Sequence, residues 1–196
     1  MASNVDICNS ALNMIGASNI ISLTEDSRAA RVCNQRFEFV RDAVMRAHPW
    51  NCLIVRTSLA ADSDTPAFEF DHQHTLPTDP YCLRVLRPQD PDTVFRVEGR
   101  KIISSTTPFK MIYVARITDP NEYDQLLIES IASRLAADIS YALVNSASLS
   151  QMLMATYESK LSEARFVDAT EGTPANTVNI DRASYTESDV FISSRF

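Results

Sequence analysis

Glycine is nearly missing from this chain: three residues in 196. Glycine-rich phosphate loops and the elbows that present a nucleophilic serine need several glycines at fixed offsets. Neither motif is present, and no Ser–His–Asp arrangement can be assembled either. Histidine is as scarce, with His48, His72 and His74 alone. The four cysteines, Cys8, Cys33, Cys52 and Cys82, form no Cys-x-x-Cys pair. Each sits in an apolar stretch, which predicts buried free thiols in a reducing compartment. No apolar run approaches the ~18 residues a membrane span needs. Met1 to Asp6 has neither the basic nor the apolar region of an export signal, so a cytoplasmic site of synthesis is expected. Basic residues are in deficit as well. Eighteen Lys and Arg face 25 Asp and Glu, for a net charge of -7 and a pI near 4.9. Duplex-DNA binders cluster an excess of cations on one surface, and an acidic chain repels DNA.

What is there is an ordinary globular composition, 45% hydrophobic and 22% charged. A chain of this length buries most of its apolar surface without metals or disulfides, so no cofactor is expected. A first helix is predicted over roughly Asn4 to Ile15. Ser3 and Asp6 have capping-box spacing, Val5, Cys8, Leu12 and Ile15 make one stripe, and Gly16 is placed to stop it. A second helix starts near Thr24 to Ser27 and runs to His48, where Pro49 ends it. Its buried stripe is Cys33, Phe37, Val40, Val44 and Ala47. Arg28, Arg31, Arg36, Arg41 and Arg46 largely avoid that stripe. Such a row can bind phosphate, but it reads better as a surface that pairs with carboxylates within or between subunits.

From Trp50 to Ile117 the pattern turns to β. Expected strands are Trp50 to Leu59, Ala67 to His74, Tyr81 to Leu86, Thr93 to Val97, Arg100 to Ser104 and Phe109 to Ile117. Glu98-Gly99 makes a tight turn. Seven of the nine prolines lie between Pro49 and Pro108, as suits short strands with many turns. Asp119, Pro120 and Glu122 look like the start of a third helix, with Ile128, Ile131, Leu135, Ile139 and Leu143 inside. Ser148 and Gln151 open a fourth, which runs to about Phe166 with Leu149, Leu153, Tyr157 and Leu161 on one face. The fold class expected is α+β. An antiparallel helical bundle forms from the N- and C-terminal helices, residues 1–49 and 119–166. A small antiparallel β-domain, 50–118, is inserted between them. An extended C-terminal arm, 167–196, follows. The arm is too short and polar to fold alone. It carries apolar anchors at Tyr185, Val190, Phe191, Ile192 and Phe196, with Arg195 beside them.

The chemistry in reach is thin. His72 and His74 share a strand face and could hold a metal, but no third ligand is near, and the segment reads as a polar strand end. Glu69, Asp71, Glu98 and Glu122 lie in or beside the β-region, and two carboxylates at the right separation suffice for glycoside hydrolysis.

Four segments carry a resemblance. Ile7 to Gly16 (ICNSALNMIG) with Ile21 to Ala30 (ISLTEDSRAA) is the first. Val40 to Asn51 (VRDAVMRAHPWN), ending in a His-Pro-Trp step, is the second. The hairpin Phe95 to Arg100 (FRVEGR) is the third. Ile131 to Ala137 (IASRLAA), followed by Ser146 to Leu149 (SASL), is the fourth. In this order, over residues 4 to 165, they resemble the tail tubular protein A family, the head-to-tail adaptors of T7-like and related short-tailed phages. The resemblance implies a non-enzymatic virion protein at the head–tail junction, assembled in the host bacterial cytoplasm. It implies a ring, twelve subunits in the family, that docks under the portal and receives the tail nozzle. DNA would pass through the channel without specific binding. The arginine row is then expected at the subunit interface and the arm on the portal. Some family relatives are credited with cell-wall hydrolysis, so an adaptor that also degrades peptidoglycan is the alternative. A DNA-binding protein is a third reading, disfavoured by the pI.

Overall fold

Ser3 accepts a hydrogen bond from the Asp6 N–H, and the Asp6 carboxylate accepts one from the Ser3 N–H. This reciprocal box starts the first helix, α1, Asn4–Met14. Gly16 follows in the left-handed region at φ 71, as its placement predicts. The computed structural model describes residues 2–171. Residues 172–196 of the expected C-terminal arm, with Tyr185, Val190, Phe191, Ile192, Arg195 and Phe196, lie outside the described residues.

The described chain is α+β, with four α-helices and two antiparallel three-stranded sheets. Helix α2 is Arg28–Ala47, capped by Ser27. The strands are β1 (Ile54–Leu59), β2 (His72–Thr75), β3 (Cys82–Pro88), β4 (Phe95–Glu98), β5 (Lys101–Ser104) and β6 (Phe109–Ala115). Helices α3 (Gln125–Val144) and α4 (Ala147–Thr170) follow. One sheet has the order β1-β6-β3 and the other β2-β5-β4.

All six strands form where the alternation places them, but several are shortened: β1 starts only at Ile54, after a 3-10 turn over Asn51–Leu53, β4 starts at Phe95, and β6 stops at Ala115. The segment from Ala67 does not pair until His72. Glu69 takes a left-handed backbone at φ 75, and Phe68 is 81% exposed. A turn there leaves nothing for a strand to pack on.

Two helix starts differ from expectation. Asp119 accepts from the Asn121 N–H but caps only a single 3-10 turn, Pro120–Glu122. Tyr123 then becomes extended, buries its ring and donates its hydroxyl to the Ile117 carbonyl at 2.6 Å. Asp124, accepting from the Leu126 N–H at 2.7 Å, is the true cap of α3. The fourth helix starts from Ser146, not Ser148, because Asn145 ends α3 in the left-handed region at φ 57. It also runs past Phe166 to Thr170, held there by contacts of Asp168 described below.

Apolar side chains gather in two clusters. One lies among the helices, with α3 packed against α1, α2 and α4. Leu127, Ile131, Leu135 and Ile139 of α3 are fully buried in it. The other lies on the sheets: Leu76, Cys82, Ile102, Phe109, Met111, Tyr113 and Ala115. Strand β6 serves both. Met111, Tyr113 and Ala115 belong to the sheet cluster while Val114 belongs to the helical one, as strand alternation requires.

Candidate interaction surfaces

The arginines of α2 are engaged within the chain. Arg28 donates to the Ala142 carbonyl, Arg31 pairs with Asp26, and Arg46 donates to the Leu83 carbonyl. Arg36 donates to Asp138 of α3 at 2.5 Å, and that carboxylate raises the Arg36 pKa above its ordinary value. Arg41 departs most from expectation. It is 4% exposed, lies over the Phe37 ring at 5.9 Å and donates to Asp42 at 3.0 Å. It sits on the buried side of the helix and has no surface to offer a neighbouring subunit.

Asp42 also accepts from Arg116 at 2.5 Å. Arg116 and Arg100 both lie on the Tyr81 ring, at 4.3 and 4.0 Å. Arg100 goes on to donate to the carbonyls of Cys82 and Pro77, both at 2.7 Å. The result is a continuous polar seam from α2 to the ends of both sheets. Guanidinium suits this role, since it stacks on an aromatic face while its N–H groups bond in the plane.

A second junction is made by the His-Pro-Trp-Asn step. His48 Nε2 lies 2.9 Å from Asp168 Oδ2, and Asp168 Oδ1 accepts from the Asn51 N–H at 3.0 Å. The Asn51 side chain donates to the Asp168 carbonyl at 2.7 Å. Trp50, fully buried, donates its indole N–H to the Val44 carbonyl at 3.1 Å and stands edge-on to His48. Four residues thus tie the end of α2, the end of α4 and the start of β1. The step's partner is not legible in the sequence, because Asp168 falls in the segment expected to be the extended arm and lies instead in the last turn of α4.

The residues weighed for chemistry are dispersed. His74 is fully buried, with Nδ1 3.0 Å from the Ala60 carbonyl and its ring against Phe109. Among the described residues no three His, Cys, Asp or Glu side chains group as metal ligands do. Glu69 pairs with Arg96 at 3.0 Å. Asp71 and Glu98 lie at opposite ends of the β2-β5-β4 sheet, since His72 faces Ser104 while Glu98 faces Lys101. At ~3.4 Å per residue this is roughly 10 Å or more, too far for a hydrolytic pair. Burial pushes the Cys52 and Cys82 thiols up, and a shared hydrogen bond with Cys33 together with burial pushes Cys8 up. Raised thiols are poor nucleophiles.

The unpaired cations are elsewhere. On the β1-β6-β3 face that Val114 turns to the helices, in the part they leave uncovered, Arg56 and Arg87 both stand opposite Ile112. Lys110 stands opposite Ser58. Arg56, Arg87 and Lys110 are exposed and line one trough with Ser58, Gln89 and Ile112. None of the three pairs with a carboxylate among the described residues. Asp90, next along the chain, turns its carboxylate back to the Asp92 N–H at 3.2 Å. A chain-wide charge of -7 hides this patch.

Helix α4 presents the converse. Its exposed face carries Met152, Phe166 and Val167, with Glu158 and Glu163. Met152 and Phe166 are 58% and 61% exposed. Comparison of the chain with models of known protein families finds no match, and comparison with curated proteins finds none.

Proposed function

We propose that the chain is the structural ring subunit of a phage head-to-tail adaptor, which joins the portal to the tail nozzle and leaves a channel for DNA. The carrying observation is the His48-Pro49-Trp50-Asn51 step. It closes the second of the four segments that, taken in order, resemble the adaptor family, and its residues have an architectural use here. His48, Trp50 and Asn51 lock the ends of two helices to the first strand. In this reading α1 and α2 pair with α3 and α4 as one antiparallel bundle, residues 50–118 are a β-insertion, and the C-terminal residues are an arm that anchors on the portal. The protein belongs to the virion, assembled in the bacterial cytoplasm.

The test is electron microscopy of the purified chain mixed with the portal ring of its phage. A second ring stacked on the portal is expected. Portal particles without added density would sink the reading. Deleting residues 180 to 196 should weaken portal binding without moving the melting temperature, and equal binding by the truncated chain would remove the arm from the reading.

A further inference from the structure

A closed ring needs a heterologous contact, in which one patch meets a different patch on the next copy. The arginines of α2 are poor candidates for it, because each already has an intrachain partner. We propose that neighbouring copies join through the uncovered Arg56, Arg87 and Lys110 part of the β1-β6-β3 sheet on one copy and the exposed face of α4 on the next. This rests on the ring reading above.

The two faces complement each other in kind. The sheet contributes Arg56, Arg87 and Lys110 around Ile112. Strand spacing puts the two arginine backbones roughly 10 Å apart across β6, with Lys110 roughly 7 Å along it. The helix contributes Glu158 and Glu163, with exposed Met152 and Phe166. Glu158 and Glu163 stand on the two flanks of the helix's exposed midline, which carries Ala155, Ser159 and Phe166, and can meet guanidinium groups that flank an aliphatic side chain. Lys160 and Arg165, the cations beside those carboxylates in sequence, are turned elsewhere, Lys160 to Glu129 at 3.2 Å and Arg165 to the Ala47 carbonyl at 3.3 Å, and do not neutralise them. The faces lie on different elements, so both can be used by one subunit at once. The chain's own excess of acid also favours this occupant: a second copy is itself a carboxylate-rich surface. Nucleic acid would meet three free cations against a net repulsion.

Charge exchange tests this directly. Full-length chain is prepared in two forms, R87E/K110E and E158K/E163K, each checked by circular dichroism for the wild-type fold. Sedimentation equilibrium at low salt should show wild-type self-association that weakens as salt rises. Each variant alone should associate on the order of a hundredfold more weakly, because like charges then face each other. Mixing the two variants should restore salt-sensitive association in which the two forms alternate, because each face of one then meets an oppositely charged face of the other. Wild-type protein that stays monomeric up to its solubility limit, or single variants that associate like wild type, would overturn the contact. So would a mixture that fails to associate although both parents are folded. Duplex DNA captured by wild type and lost in R87E/K110E, with self-association unchanged, would reassign the sheet face to nucleic acid. Portal-bound rings that still form from either variant would sink this contact while leaving the adaptor reading standing.

Discussion

Asp168 is a carboxylate in a place where the sequence gives no warning of one that matters. It is 9% exposed, and its side chain and carbonyl take three bonds, from His48 Nε2, the Asn51 N–H and the Asn51 side chain. Removing an acceptor from such a site leaves its donors unsatisfied, which costs more than the bond itself contributed. Asp168→Ala should therefore destabilise the fold by about 2–3 kcal/mol. It should also loosen the last turn of α4, which then keeps only the Asn51 side chain's bond to the residue 168 carbonyl and Arg165's bond to the Ala47 carbonyl. Asp168→Asn keeps an acceptor for the Asn51 N–H and should recover part of that loss. Thermal unfolding of the three proteins, followed through Trp50 fluorescence, checks the order wild type, Asn, Ala. An Ala variant as stable as wild type would mean that the junction contributes no stability.

At the scale of elements, periodicity carried the reading and local capping misled it. Strands were legible because inward and outward residues alternate along Phe109–Ala115 and its neighbours, and the tight turn because Gly99 takes φ 58 between β4 and β5. Helix α3 was legible from Ile131, Leu135 and Ile139, but its start was not. Asp119-Pro120 offers a better local cap than Asp124, and the choice is made by tertiary burial of Tyr123, which sequence spacing does not encode. The same holds for the interaction surfaces. The arginine row of α2 could be counted, yet its partners Asp138, Ala142 and Leu83 are distant in sequence. The sheet trough could not be counted, because Arg56, Arg87 and Lys110 come from three strands and meet only through register. The cap assignment has its own consequence. Asp124→Ala should lower stability by about 1 kcal/mol, the usual loss for a helix N-cap, whereas Asp119→Ala, which releases one 3-10 turn, should have the smaller effect. Urea denaturation of both variants decides it, and a larger loss from Asp119→Ala would show that the first turn and α3 form as one helix in solution.

For the whole molecule, the question is whether the sheets and the helices are one folding unit or two. The β-region is contiguous in sequence and has its own apolar cluster, which argues for independence. Three features argue more strongly against it. Val114 and Leu83 leave the sheet and enter the helical core. The Asp42–Arg116–Tyr81–Arg100 seam crosses from α2 to both sheets. Trp50 and Asn51 sit on the covalent path between the two regions and are held by residues of α2 and α4. Strand β6 cannot unfold without emptying part of both cores, so opening the sheet exposes apolar surface on the helices as well. The expectation is one cooperative transition. Met111→Ala, a cavity on the sheet side alone, should cost about 3 kcal/mol. It should shift Trp50 fluorescence and the hydrogen-exchange protection of β5 amides to the same lower denaturant midpoint. If β5 amides lose protection while Trp50 stays buried, the β-region is a separate unit. A head-to-tail contact between sheet and helix would then have to hold across a joint that opens by itself.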